Sequence, residues 1–278
     1  MTGREPRAEL ADIARSLRLA LERERPDGEL LVQSAVVARR EGRAAAASAA
    51  ATEVGAPSLD LSLPSHHAPL HPIEASVRAE ILSSSLPVLD TVANEARACR
   101  KCGLCETRTH AVPGVGSALA GIVFVGEAPG ADEDAQGEPF VGRAGKLLTE
   151  IIRGMDERQL IPGLNLNRDT VYICNVLKCR PPENRNPLPH EIEQCSPYLY
   201  RQLEAIRPRI ICCLGKFAAE LLVGVKGTIR DMRGKVYRYQ GARLIVTYHP
   251  AAILRSPHQY RRPVWEDMQF LAREYLAD

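Results

Sequence analysis

Short apolar runs alternate with helix-like segments through the C-terminal part of the chain, and this alternation constrains the fold more than any other feature. Four runs are expected to form buried strands, at residues 121–130, 170–176, 209–215 and 244–248. Apolar residues at helical spacing predict helices at residues 142–155, 189–206 and 263–276. Strands without polar alternation are buried on both faces, so the pattern predicts an α/β fold with a parallel sheet between helices. A hairpin is expected across Gln240 and Gly241.

The N-terminal part differs in composition from the rest, and the chain divides into three predicted segments. Residues 1–38 are expected to be a helical segment, and residues 39–72 a flexible linker rich in Ala, Ser and Pro. Residues 73–278 are expected to form the folded domain, with a first helical stretch interrupted near Pro87 and a core that starts at residue 99. The linker histidines have no Cys or acid at ligand spacing and are expected to be solvated: His66, His67 and His71.

Charge and hydropathy narrow the class of protein. The net charge is only +2, and residues 1–98 carry 11 Arg, no Lys and 14 acidic residues, so the remainder is mildly basic. A basic domain is compatible with a polyanionic partner and equally with ordinary surface charge. The chain has no apolar run of membrane-spanning length and no signal peptide at its N-terminus, which predicts a cytoplasmic protein. In that reducing compartment the eight cysteines are expected to be metal ligands or buried apolar residues.

Four cysteines are candidates for a metal site because they form one close pair and one distant pair. Cys99 and Cys102 have C-x2-C spacing, whereas Cys179 and Cys195 lie 16 residues apart, unlike a second zinc knuckle. Thiolates from a loop and a helix suit an iron–sulfur cluster, while zinc and the absence of a metal stay open. Cys105 is a further nearby thiol, so spacing alone does not decide which thiols ligate. Three cysteines lie inside apolar strands and are expected to pack in the core: Cys174, Cys212 and Cys213.

The segment GEAPGADEDAQGEPFVG, residues 126–142, follows the first strand and is expected to form a ligand-binding loop. It is not a P-loop, because no Gly-Lys-Ser or Gly-Lys-Thr follows, and it does not have the G-x-G-x-x-G pattern either. Its acidic residues would repel a phosphate group: Glu127, Asp132, Glu133 and Asp134. Gly126 and Gly130 would instead let backbone N–H groups approach a ligand closely.

Three further residues each have one structural and one functional interpretation. Phe140 is either a core anchor or a stacking face for a planar ring. Asn175 ends a buried strand, and its amide either caps the strand or reads one edge of a pyrimidine, since it both donates and accepts. His249 precedes a proline and a helix, and either caps that helix or donates to a developing oxyanion. Ligands of parallel sheets bind at the carboxyl ends of the strands, where Glu127, Asn175 and His249 are expected to meet.

The chain from residue 99 to about residue 276 resembles the family 4 uracil-DNA glycosylases, which carry a four-iron, four-sulfur cluster. The matching pieces are CRKC, VGEAPGADED, GEPFVGRAGKLL, YICNVLKCRPPENRNPLPHEIEQC, LGKFAAE, the MRGK segment and YHPAAILR. The resemblance implies a three-layer α/β/α sandwich with a four-stranded parallel sheet. It also implies an enzyme of base excision repair that flips deoxyuridine out of DNA and hydrolyses its N-glycosidic bond, leaving an abasic site.

The resemblance further implies the residues of both sites. The ligands of a [4Fe-4S] cluster would be Cys99, Cys102, Cys179 and Cys195, which leaves Cys105 as a bystander. The uracil pocket would consist of Gly126, Glu127, Ala128, Phe140, Asn175 and His249.

Three side chains are expected to act in catalysis. His249 would donate to the departing uracil, and Glu127 would help to exclude the methyl group of thymine. Family 1 enzymes place a water-activating Asp at the position of Ala128, so Glu133 or Asp132 is expected to replace it here.

The expected partner is uracil-containing DNA, single- or double-stranded. Arg255 is expected to contact phosphate and Leu254 to wedge into the duplex. The protein is expected to be a monomer associated with the nucleoid, and its N-terminal segment is a candidate for docking to a repair or replication partner. Two rival hypotheses are a nucleic-acid-binding module without catalysis and a nucleotide-phosphate enzyme that uses the glycine-rich loop. Release of free uracil from an oligonucleotide separates both from the glycosylase.

Overall fold

The structure, a computed structural model, describes residues 75–277. Within that part of the chain one sheet contains β1 (Val115–Gly116), β2 (Ile122–Gly126), β3 (Tyr172–Asn175), β4 (Ile210–Leu214), β5 (Tyr237–Tyr239) and β6 (Ala242–Thr247). Their spatial order is β1-β3-β2-β4-β6-β5. The central strands β3, β2, β4 and β6 are parallel, whereas β1 and β5 pair antiparallel at the two edges. The predicted hairpin joins β5 to β6.

The expected sheet of four parallel strands is therefore the centre of a larger, mixed sheet of six. One added strand, β5, is the first arm of the predicted hairpin, which the resemblance did not count. The other, β1, is only two residues long and pairs with Ile173 and Tyr172 of β3. No apolar run predicts such a short strand, because its pairing depends on a neighbour that lies far along the chain.

The helices of the described residues cover both faces of the sheet. They are α1 (Ala75–Ala98), α2 (Leu104–Thr107), α3 (Ala131–Gln136), α4 (Arg143–Glu157), α5 (Pro189–Ile206), α6 (Lys216–Val223), α7 (Ile229–Met232), α8 (Pro250–Arg255) and α9 (Pro257–Leu276). None of the helices in this range is long and apolar enough to cross a bilayer.

Alternate residues of the strands supply two cores, which defines the three layers. Phe124 of β2 packs in one core together with α4 and α9, and its neighbours Val123 and Val125 pack in the other core with α1, α5 and α6. Side chains of a strand point to opposite faces in turn, so a strand buried on both sides must be apolar throughout. This confirms the α/β/α sandwich, and it confirms Cys174, Cys212 and Cys213 as fully buried core residues.

Three predictions of local structure need correction. Helix α1 continues through Pro87 instead of breaking there, and Thr91 Oγ1 donates to the Pro87 carbonyl. Helix α9 begins at Pro257, six residues before the predicted Pro263. Proline is favourable at the first position of a helix, so the sequence did not distinguish between these two starting points. The loop of residues 126–142 contains the short helix α3, whose first turn holds three acids that favour the positive end of the helix dipole.

Residues 1–38 and 39–72, with the predicted N-terminal helix and the three histidines of the linker, lie outside the described residues. The division of the chain into three segments stays a prediction. Within the described part, α1 packs against α5. Leu89, Val92 and Ala96 of α1 lie in the core that it shares with α5 and α6, and the helix leads directly into the CRKC segment that begins at Cys99.

Candidate active site and metal centre

A wide cleft lies at the carboxyl ends of the parallel strands, where the fold class predicts a ligand site. Its volume is about 580 Å³, and it is open to solvent. Glu127 follows β2, Asn175 ends β3, His249 follows β6, and Phe140 precedes α4. These four side chains come from segments far apart in the sequence and line one cleft, and for Glu127, Asn175 and His249 the strand-end argument predicts this.

Phe140 adopts a backbone conformation that is unusual for a residue with a side chain. Its φ is +56°, in the left-handed region, and its ring is 5% exposed. The ring centroid lies 5.5 Å from that of His249, with 30° between the planes. Phe140 therefore both packs in the core and lines the cleft, which is compatible with either of its two interpretations.

Two glycines allow this packing because a side chain would collide with it. A Cβ on Gly126 would lie 2.3 Å from Asn175 Oδ1 and 2.5 Å from Phe140 Cζ. A Cβ on Gly145 in α4 would lie 1.9 Å from the carbonyl of Phe140. The Gly126 carbonyl also accepts a hydrogen bond from Val176 N at 3.0 Å, which continues the β2–β3 pairing past the ends of the strands.

Asn175 carries a buried acceptor without a partner. The residue is 1% exposed, and its Oδ1 has no hydrogen bond among the described residues. Leaving a buried polar atom unpaired costs about 1–3 kcal/mol, so such atoms in folded proteins usually signal a missing ligand or water. Oδ1 borders the cleft beside Phe140, where a ligand could donate to it.

His249 is held as a neutral ring that donates from one side. Its Nδ1 accepts a hydrogen bond from Ala251 N at 3.2 Å, which caps α8. Burial, with a smaller contribution from the charge of Arg255, lowers the pKa of His249 to about 4. At neutral pH the single ring proton must then be on Nε2, because Nδ1 is an acceptor. Helix capping and donation are therefore compatible roles of one side chain.

The four acids of the loop have different surroundings. Burial raises the pKa of Glu127, which lines the cleft. Asp132 is exposed and lines the cleft as well. Asp134 is buried and accepts Thr109 N with both oxygens, at 2.9 and 3.0 Å, so it fixes the loop from behind. Spacing in the sequence could not separate these roles, because all four residues lie within eight positions of one another.

Glu133 has both carboxylate oxygens engaged by the backbone. Oε1 accepts from Val141 N and Gly142 N, each at 2.9 Å, and Oε2 accepts from Gly130 N at 3.1 Å. A carboxylate that accepts three backbone N–H donors is a good anchor for the loop and has no free oxygen to offer a water. The geometry therefore favours a positioning role for Glu133 and leaves Asp132, the other acid named for water activation, as the more accessible carboxylate.

The expected DNA-contacting residues lie on α8, at the rim of the cleft. Arg255 is exposed and lines the cleft, whereas Leu254 is partly buried and packs against the core. Sequence reasoning missed Arg185, which also lines the cleft and forms a salt bridge with the buried Glu191. It missed Arg168 too, whose guanidinium contacts the Phe140 loop from a turn before β3.

A second, separate cavity is lined by thiols. Five cysteines border it, together with Lys178 and Tyr198. The five are Cys99, Cys102, Cys105, Cys179 and Cys195. The two pairs predicted from spacing thus come together, and none of them lines the cleft.

Several N–H groups point at the sulfurs of this cavity. Arg108 Nη1 donates to Cys179 Sγ at 2.9 Å, Lys178 N to Cys195 Sγ at 3.2 Å, and Lys101 N to Cys99 Sγ at 3.5 Å. Burial raises the pKa of Cys179, and that of Cys195 to about 12, so these thiols would not ionise without a cation. Donors aimed at sulfur stabilise thiolates in metal centres, and this donor set fits such a centre. Among residues 75–277 no group of three or more His, Cys, Asp or Glu side chains is close enough together to hold a metal ion as it stands.

Lys178 connects the two sites and was not singled out from the sequence. It is 1% exposed, and its Nζ donates to the Asn175 carbonyl at 2.7 Å and to Gln202 Oε1 at 2.8 Å. The backbone N–H of Lys178 also donates to Cys195 Sγ. The five residues 175–179 therefore link the end of β3 to the thiol cavity. A buried lysine between apolar strands gives no sequence signal beyond its type.

Comparison with known proteins is consistent with this geometry. Residues 113–269 match the family described as "Uracil DNA glycosylase superfamily". The chain is similar to the type-4 uracil-DNA glycosylase of Archaeoglobus fulgidus, with 52% identity over 61% of this chain and 84% of that protein. It is 41% identical to the type-4 enzyme of Thermotoga maritima, over 66% of this chain and 92% of the relative. A type-5 uracil-DNA glycosylase of Thermus thermophilus is 32% identical over 50% of this chain and 68% of its own length.

Proposed function

The chain belongs to the uracil-DNA glycosylase superfamily, in its type-4 branch, and on that basis we propose how its side chains excise uracil from DNA. The protein is a DNA glycosylase of base excision repair. A base inside a duplex is out of reach of any side chain, so the deoxyuridine must leave the stack and enter the cleft. Hydrolysis of its N-glycosidic bond then yields free uracil and an abasic site. No lysine is required as a covalent nucleophile, so the strand is expected to stay intact.

The unpaired Oδ1 of Asn175 is the observation that carries the assignment of the uracil pocket. Uracil has a donor at N3, which could satisfy this buried acceptor, and the Asn175 amide group could donate to O4. The unpaired oxygen lies next to the ring of Phe140, against which the flat base would stack. We assign Gly126, Glu127 and Ala128 to the other side of the pocket, since Glu127 and Ala128 line the cleft and Gly126 lies against Asn175 and Phe140. The bulk of Glu127 would oppose the 5-methyl group of thymine.

His249 is proposed to stabilise the leaving group. Uracil departs as an anion with charge on O2, and a neutral imidazole with its proton on Nε2 can donate to that oxygen. Its low pKa, about 4, keeps it from being charged before the reaction. A donor aimed at developing charge contributes about 100-fold to the rate in comparable sites.

Activation of the attacking water is assigned to Asp132. Ala128 occupies the position where family 1 enzymes have an Asp, and Glu133 already accepts three backbone N–H groups. Asp132 borders the same cleft and is exposed. We therefore revise the expectation for Glu133, which is assigned to holding the loop.

The thiol cavity is proposed to hold a [4Fe-4S] cluster through Cys99, Cys102, Cys179 and Cys195. The four sulfurs line one cavity, and three of them receive N–H donors, which is a donor set that suits an iron–sulfur cluster. When bound, the cluster supplies a structural cross-link. The protein's own part is to join the CRKC segment to the loop at Cys179 and to α5, with Arg108 stabilising the Cys179 thiolate.

The substrate supports several finer expectations. Arg255 and Arg185 at the rim of the cleft could contact the phosphates beside the flipped nucleotide, with Leu254 near the vacated stack.

We propose that the enzyme acts on single- and double-stranded DNA as a monomer, in the cytoplasm at the nucleoid. Docking to a repair or replication partner is assigned to residues 1–98, whose acidic, lysine-free composition differs from the DNA-binding domain.

A glycosylase assay tests the proposal. Wild type should release free uracil from a uracil-containing oligonucleotide and leave a site that breaks only in alkali. Asn175→Ala and His249→Ala should each lower the rate about 100-fold, whereas His258→Ala, which removes an exposed histidine of α9, should not. No release by wild type from either single- or double-stranded DNA would refute the activity. Full activity in both pocket variants would refute the site.

A further inference from the structure

The backbone of Phe140 needs external support to keep its conformation. A φ of +56° is disfavoured for any residue with a side chain and persists only where the surroundings impose it. The ring must nevertheless stay parallel to one wall of the cleft if it is to stack on a base. Something must therefore hold the peptide groups on both sides of Phe140.

Arg168 holds the carbonyl groups of this segment. Its Nη1 donates to the Phe140 carbonyl at 2.9 Å, and its Nη2 donates to the Pro139 carbonyl at 2.7 Å and to Glu138 Oε1 at 2.9 Å. The side chain is 20% exposed, so these bonds are only partly screened by water. One guanidinium thereby fixes two consecutive peptide planes, which requires the rigid, forked donor geometry of arginine.

Glu133 holds the amide groups on the opposite side. Its Oε1 accepts from Val141 N and Gly142 N, the two amides that directly follow Phe140. Two carbonyls up to Phe140 and two amides after it are thus bound by side chains of opposite charge. Rotation of the Phe140 peptides to a relaxed φ would break bonds at both ends.

We infer that Arg168 is a positioning residue for uracil recognition, which acts by holding Phe140 in the orientation that stacks on the base. Arg168 does not line the cleft and touches no expected substrate atom, so its effect must pass through Phe140. The inference rests on the proposed stacking role of Phe140. A purely structural anchor would instead change the stability of the domain without any specific dependence on the Phe140 ring.

A double-mutant cycle distinguishes these two roles. Arg168→Met removes the guanidinium and keeps most of the volume, and Phe140→Ala removes the ring. We expect Arg168→Met to lower kcat/KM for uracil release about 100-fold, because a displacement of about 1 Å in a positioned group has effects of that size. Phe140→Ala should cost at least tenfold less in the Arg168→Met background than in wild type, since the ring there is already misplaced.

Three further measurements accompany the cycle. Inhibition by free uracil should weaken in Arg168→Met by about the same factor as that by which KM rises. Arg168→Lys should recover only part of the activity, because an ammonium cannot bond both carbonyls in the same geometry. Arg243→Met is the matched control, since Arg243 also bonds backbone carbonyls, at Glu274 and Ala277, but lies far from the cleft; its kcat/KM should match wild type.

Independent, multiplicative effects of Arg168→Met and Phe140→Ala would overturn the inference, and so would wild-type uracil inhibition in Arg168→Met. Where Arg168→Met does not fold, as judged by its melting temperature, the cycle is run with Arg168→Lys, and the same two outcomes decide. Normal activity of Phe140→Ala in the wild-type background would instead remove the stacking role and thus the proposed pocket. The failure of the inference is in this way distinct from the failure of the proposed function.

Discussion

The cleft and the thiol cavity are linked by the short segment of residues 175–179, but they differ in how their polar atoms are satisfied. In the cleft, Asn175 Oδ1 has no hydrogen-bond partner among residues 75–277, and Phe140 has a strained backbone. In the cavity, the sulfurs of Cys99, Cys179 and Cys195 receive N–H donors already. A site that binds and releases its ligand must leave groups unpaired between turnovers. A site with a permanent occupant can surround it with donors, because the occupant folds with the chain.

The largest expected effect tests the thiol cavity as the proposed cluster site. Cys179→Ser should lose iron and lower the free energy of unfolding by more than about 4 kcal/mol, because metal binding contributes directly to folding and loss of a buried ligand belongs to the most damaging class of substitution. Cys105→Ser, which removes the fifth thiol of the cavity, should keep both iron and stability. Iron analysis, visible absorption and urea unfolding measure the pair. Equal loss in both variants would mean that the ligand set is misassigned.

Gly126→Ala tests how tightly the cleft is packed around Asn175 and Phe140. The new methyl group would meet both Asn175 Oδ1 and the Phe140 ring at distances that real Cβ atoms do not adopt. We expect a loss of about 100-fold in kcat/KM and weaker inhibition by uracil, with the iron content unchanged. Gly103→Ala is the control, since its Cβ would have no atom within 4 Å. If Gly126→Ala retained wild-type uracil affinity, the base would have to bind elsewhere in the cleft.

Variants of Asp132 and Glu133 distinguish a catalytic role from a positioning role in the cleft. Asp132→Asn should lower kcat about 100-fold with uracil inhibition unchanged, since a general base typically contributes 100-fold or more. Glu133→Gln should instead weaken uracil inhibition, because one oxygen of the loop anchor becomes an N–H group facing backbone amides. The reverse pattern would return water activation to Glu133. Steady-state kinetics of the two variants, measured side by side, provide the comparison.

The pKa of His249 predicts a smaller effect on stability. His249 titrates at about 4 in the folded protein and at about 6.5 when unfolded, so the unfolded chain binds more protons between these values. Its contribution is fully present above pH 6.5 and is lost as the pH falls through 4, by about 2 kcal/mol after allowance for partial exposure. Urea unfolding at pH 7.5 and pH 4.5 should show a smaller difference for His249→Gln than for wild type. An equal difference would mean that His249 is not buried as a neutral ring.

Arg255→Ala should have the smallest effect and leave the pocket intact. Removal of one phosphate contact should reduce the salt dependence of DNA binding by about one unit of slope, with kcat unchanged. Arg273→Ala, which removes an exposed arginine of α9, should not alter the slope. Fluorescence anisotropy of a labelled oligonucleotide over a salt series measures both. An unchanged slope in Arg255→Ala would place the DNA backbone on another part of the rim.

Local patterns predicted the central part of the fold. The four parallel strands and helix α5 lie at the expected positions because burial on both faces demands continuous apolar runs. The edge strand β1 and the start of α9 were missed or misplaced. An edge strand of two residues is too short to show an apolar pattern. For α9, Pro257 and Pro263 both had the sequence signal of a helix start. In both cases the outcome depended on contacts with distant segments.

The candidate site was predicted in composition but not in arrangement. Asn175 and His249 could be named because they end or follow apolar strands, and parallel strands bring their carboxyl ends together. The different roles of Glu133 and Asp132 could not be predicted, because two adjacent acidic residues give the same signal in the sequence. Arg168 was missed because it lies 28 residues from the Phe140 carbonyl that it bonds, and an arginine in a turn is most often solvated.

Sequence alone determined which chemical groups this protein has and the layered architecture that carries them, because hydrophobic periodicity and residue type act locally. The tertiary structure decided how those groups are used. It left Asn175 Oδ1 unpaired, protonated His249 on Nε2 through its bond to Ala251, and set Arg168 and Glu133 against the strained peptide of Phe140. Each of these is a property of hydrogen bonding and burial between residues distant in the chain, and it exists only once the chain is folded.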